Sequence, residues 1–170
     1  MRLFLKFIDK TSETAGKLFA WLIVFLVVGL MYEVIARYAF NAPTVWSFDI
    51  TYMIYGAHFM MGAAYLLYAR GYVRIDVFYR FLPPRWKGGL DAFLFLVLFF
   101  PVMAALLYKG IPYVAHSWFL KETSTAGAWS PPLYPLKTVM PIAIFLLMLQ
   151  GIAEFIRNLG LAIRGKEYGV

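Results

Sequence analysis

Few side chains in this sequence are equipped for chemistry, and most of those sit in or beside long apolar runs. Glu33 and Arg37 close the first run, four residues apart with the acid first. That is the better order for an ion pair along one helix. A charge at mid-bilayer costs about 2.5–3.5 kcal/mol on insertion scales, so pairing near a helix end is the inexpensive solution. Arg37 is therefore read as either locally paired or in contact with another subunit. His58 falls near the middle of the second run. An ionisable group there is a candidate proton relay. No second histidine or carboxylate shares its face within one turn, so a neutral, hydrogen-bonded packing histidine is the expectation. Gln150, in the inner half of the last run, is expected to bond between helices rather than to a ligand.

The wider inventory points away from catalysis. There is no P-loop, no Ser/His/Asp set, no H-E-x-x-H spacing and no glycine-rich phosphate cradle. Only two histidines occur, His58 and His116, and cysteine is absent, which removes thiolate metal sites and disulfides. No enzymatic activity, cofactor or metal is expected. The paired broken spans and midplane polar groups of inverted-repeat carriers are missing too.

The elements around these residues are set by apolarity. The chain has 170 residues, 62% of them hydrophobic, more than a soluble domain of this size can hide. Four stretches, about 18–37, 48–69, 90–110 and 137–157, approach the roughly 20 residues needed to cross about 30 Å of hydrocarbon. The first contains Glu33 and has no A-x-A site behind it, so it is read as a retained span, not a signal peptide. The expected fold is an all-α membrane protein of one domain, with four transmembrane helices and amphipathic interfacial segments at 1–16 and 73–86. Within the second of these, Pro83-Pro84 is expected to stop any helix, and Asp76, the one acid among the five bases of the 70–89 loop, is expected to pair locally. Pro101 should kink the third helix, whose periodicity continues through Val114 and Trp118 past the outer surface. A Pro/Ser/Gly-rich loop then follows at 121–135.

Charge gives the orientation. Twelve of the 16 Lys and Arg residues fall before the first span, between the second and third, or at the end of the fourth. The positive-inside rule then places both termini and the middle loop in the cytoplasm. The net charge of +7 is accounted for by anionic lipid and calls for no nucleic acid. Along the second span, Gly56 and Ala63 share a face, as do Ala57 and Ala64, forming a small-residue seam for a neighbouring helix.

The turn between the first two spans is too decorated for filler: Arg37-Tyr38-x-Phe40-Asn41-x-Pro43-x-x-Trp46-x-x-Asp49. With Gly71-x-Val73-Arg74-Ile75-Asp76-Val77, Leu82-Pro83-Pro84-Arg85 and Leu147-x-x-Gln150-Gly151, it resembles the signature of the small membrane subunit of tripartite ATP-independent periplasmic (TRAP) transporters. The likeness covers essentially the whole chain. One departure is Asp49, where the family usually carries Glu. The resemblance implies a bacterial or archaeal inner-membrane assembly of three parts. A periplasmic solute-binding protein captures a carboxylate-type solute, and a large multi-span permease subunit moves it on a sodium gradient. The small subunit braces that permease and helps dock the binding protein. Arg37, Asn41, Pro43, Trp46, Asp49, Gly56, Ala63, Gly71, Arg74 and Asp76 become the motif or interface residues, and Trp129, Pro131 and Tyr134 the docking candidates. Two other classes compete: an autonomous homodimeric exporter coupled through Glu33, and an intramembrane enzyme using His58.

Overall fold

The computed structural model describes residues 2–71, 82–127 and 129–165. It is helical throughout, in the order α1 (Arg2–Ala20), α2 (Leu22–Ala39), α3 (Ser47–Tyr68), α4 (Pro84–Leu94), a π-helical turn (Phe95–Phe99), α5 (Phe100–Leu120) and α6 (Tyr134–Arg164). Among the described residues four helical stretches are long and apolar enough to cross a membrane. A helix satisfies its backbone polar groups internally, which is what a segment without access to water requires.

α6 is the central element and packs against α1, α3, α4 and α5. Its buried residues are small or polar, namely Ala143, Gln150, Gly151, Ala153, Glu154, Arg157, Asn158 and Gly160. Large apolar side chains such as Val24, Phe25, Leu96 and Phe145 instead point outward. This inverts the pattern of a water-soluble core and is the arrangement expected when the surrounding solvent is itself apolar.

α1 and α2 are separated only by Trp21, so α1 runs into the stretch expected as the first span. Its inner face repeats at Leu5, Ile8, Ser12 and Gly16, a helical stripe that closes on Leu149, Ala153 and Ile156 of α6. Contacts then run antiparallel along α3. Gly16 lies against the Tyr65 ring, the Phe19 carbonyl meets His58, and Tyr32 stacks on Trp46 with centroids 5.8 Å apart.

Pro83-Pro84, expected as a stop, instead begins a helix. Pro83 is extended and Pro84 is the first residue of α4, where a missing N–H and a fixed φ are no handicap. The expected interfacial segment 73–86 lies mostly outside the described residues. Ahead of Pro101 the helix widens into the π turn, with the Phe100 N–H reaching the Phe95 carbonyl. Such a turn accommodates a proline that cannot bond four residues back. It also gathers Phe95, Phe99 and Phe100, and the Phe100 ring meets Phe155 edge-on at 5.8 Å.

The small-residue seam expected at Gly56 and Ala63 is loose: a methyl on Gly56 would only touch Leu136, and Ala63 is half-buried. The tight approaches are elsewhere. At Gly88 the backbones of α4 and α6 pass so closely that a Cβ would strike the Asn158 carbonyl and the Ala162 nitrogen. Backbone cannot swing aside, so Gly88→Ala should destabilise by about 1–3 kcal/mol. Gly89→Ala, with open space at its Cβ, should be neutral or stabilising. Thermal unfolding of the detergent-solubilised variants checks this.

Candidate assembly site

The turn after α2 is built from conformationally special residues. Asn41 adopts φ 53°, the left-handed region that Asn tolerates better than most residues, and the next N–H, of Ala42, bonds back to the Ala36 carbonyl at 3.0 Å. Pro43 follows, where helix can no longer continue. Thr44 then turns inward. Its hydroxyl and its N–H (3.2 Å) both donate to Glu33 Oε2, while Arg37 donates to Glu33 Oε1, from Nε at 3.0 Å and also from Nη2. Both carboxylate oxygens are thus committed within the turn. Within the chain Arg37 pairs with Glu33, its side chain remaining half-exposed.

Asp49 has no part in that pair. It lies in the first turn of α3, 1% exposed, and accepts a 2.6 Å hydrogen bond from the Ser124 hydroxyl of the loop between α5 and α6. That loop is ordered by its own bonds. Lys121 takes φ 48° at the end of α5, the Leu133 N–H returns to the Glu122 carbonyl, and the Ser124 N–H to that of Pro131, both at 2.8 Å. The Glu122 carboxylate joins Lys137 and accepts from the Ser117 hydroxyl. Trp118 packs on Tyr134 at 4.5 Å and donates its indole N–H to Thr138 at 2.8 Å. Of the three docking candidates, Pro131 is buried and Tyr134 half-buried; Trp129, 47% exposed, faces outward.

At the far end of α3, Arg70 takes φ 52°, and Gly71 closes the helix by donating its N–H to the Leu66 carbonyl at 3.0 Å. The left-handed residue is thus Arg70, with Gly71 one position beyond. Arg74 and Asp76 lie outside the described residues.

A second polar cluster is only half legible in the sequence. Gln150 accepts from Ser12 at 2.8 Å and donates to Asp9 at 3.2 Å, so it does join helices. Arg157 bridges Asp9 and Glu154, and Arg70 approaches Glu154 at 3.8 Å. Asp9 and Ser12 read, in the sequence, as the wet side of an interfacial helix. The signal that locates them is the four-residue interval from Ile8 to Ser12 to Gly16. His58 takes the packing role: a carbonyl only accepts, so the 3.0 Å contact from Nδ1 to the Phe19 oxygen assigns the proton to Nδ1. Phe19 lies in the last turn of α1, where carbonyls lose their helical partners. Among the described residues no group of three or more His, Asp or Glu is placed to hold a metal ion.

These features define a multi-pass helical membrane protein whose polar side chains tie its own helices and loops together. The model for the DctQ component of the tripartite ATP-independent periplasmic transporters matches residues 26–161. The chain belongs to that family of small TRAP transporter subunits. No curated protein matches it.

Two measurements probe the turn after α2 and the loop between α5 and α6. Glu33→Ala unhooks both Thr44 and Arg37 and should cost about 1.5–3 kcal/mol, the range for hydrogen bonds to a charged group. Arg37→Ala removes a half-exposed partner and should cost about 1 kcal/mol or less. Thermal unfolding should rank them in that order. The ammonium of Lys137, followed by the Ser117 hydroxyl, holds the Glu122 carboxyl below its ordinary value. A carboxylate depressed on folding stabilises fully above its unfolded pKa, about 4.3, and that contribution is lost as pH falls through the folded value. The stability difference between the native chain and Glu122→Gln should therefore be constant from pH 7 to about 5 and shrink progressively as pH falls below about 4.3.

Proposed function

We propose that this chain is the scaffold subunit of a sodium-gradient-driven, binding-protein-dependent TRAP transporter that takes up a carboxylate-type solute. Its termini face the cytoplasm of a bacterial or archaeal inner membrane, as the charge asymmetry supports. The 37–49 turn and the 121–135 loop then face the periplasm. It braces the large permease subunit and helps dock the periplasmic solute-binding protein. Membership of the DctQ family carries this reading. The geometry supports it against a carrier working alone: Glu33, the acid an autonomous exporter would couple through, has both oxygens taken by Arg37 and Thr44. His58 is likewise committed to the Phe19 carbonyl.

Reconstitution tests the reading. Proteoliposomes holding the large subunit, this chain and the binding protein should take up solute on a sodium gradient. Omitting this chain should abolish uptake, and this chain alone should give no flux. Undiminished uptake without it overturns the scaffold role, and ion-driven flux by the purified chain revives the exporter.

A further inference from the structure

Asp49 is bound to a loop that lies 75 residues further along the chain. Ser124 donates its hydroxyl to Oδ1, and the same Ser124 oxygen accepts the Ala126 N–H at 3.2 Å. The carboxylate thereby orders the loop's ascending limb, which the bonds at its stem leave untouched. Its other oxygen, Oδ2, is buried with no hydrogen-bond partner. It lies against Gly127 so closely that any Cβ there would collide with it. The N–H groups of the first turn of α3 make an acid tolerable in this place. A buried carboxylate oxygen without a donor is unfavourable on its own.

We propose that Asp49 is a positioning residue for docking of the solute-binding protein. Through Ser124 and Gly127 it fixes the outer loop so that Trp129 is presented outward. This rests on the reading that the loop meets the binding protein. Gly127 is required because the carboxylate fills the space a side chain would use. Asp is required in place of Glu because one more methylene would press on Gly127.

The chain contains no cysteine, so Thr125→Cys, at an exposed position, gives a single spin-label site in this subunit, labelled before it is assembled with the other two components. The label should be restrained in the otherwise native complex and freed by Asp49→Ala, Asp49→Glu and Gly127→Ala. Asp49→Asn keeps the acceptor and shape and should restore restraint. In uptake assays the freed variants should raise KM for the loaded binding protein about tenfold, equivalent to about 1.4 kcal/mol, with kcat unchanged. Gly127→Ala keeps the native acid and serves if Asp49→Ala fails to fold. A label that stays restrained in the Ala and Glu variants overturns the latch. A freed label with unchanged KM leaves the latch standing and overturns the docking role of the loop, and with it the positioning role.

Discussion

A guanidinium held between two carboxylates organises one end of this molecule. Arg157 bridges Asp9 of α1 and Glu154 of α6, and Gln150 bonds both Asp9 and Ser12. Removing one partner of such a set would strand a charge in an apolar interior, a far larger penalty than the net worth of the pair. The position of α1 is fixed accordingly, with Leu5, 2% exposed, and Ile8 closing over Ala153. With α1 in place, the antiparallel run of contacts along α3 is set as well, ending at Tyr32 and Trp46.

The opposite end obeys a different constraint. There the chain turns at places where the backbone takes left-handed values, at Asn41 and Lys121, and carboxylates secure the segments beyond each turn. Glu33 gathers Thr44 and Arg37, Glu122 gathers Lys137 and Ser117, and Asp49 gathers Ser124. Each acid joins segments that helix packing alone leaves independent. The polar groups of this small TRAP subunit thus serve the cohesion of its own helices and loops.

Legibility in the sequence tracks the range of the interaction. The four apolar helices, the Glu33–Arg37 pair and the continuation of the third helix through Val114 and Trp118 rest on local spacing and can be read directly. Gln150 is recognisable as a bonding residue, but its partners, Asp9 and Ser12, are 141 and 138 positions away. No local pattern couples such residues. Pro83-Pro84 reads as a stop and is a start, because proline ends a helix or begins one according to the side from which the helix arrives. The Gly56–Ala63 seam looks inviting because small residues seven apart share a face, yet close approach depends on where the neighbouring backbone or side chain runs. Tight places within the chain include Gly88, Gly16 and Gly151.

The π turn at Phe95–Phe99 changes how the helix around it presents its side chains. A single widened turn amounts to one residue inserted into an α-helix, and one residue corresponds to a rotation of about 100°. Everything from Phe100 to Leu120 is out of phase with Pro84–Leu94 by roughly that angle. A helical wheel drawn through the whole stretch would therefore merge two different stripes. The first half turns Gly88 and Ala92 inward, and the second, on its shifted phase, Gly110, Val114 and Ser117. One continuous helix thus offers two separately aimed faces, each to a different part of α6.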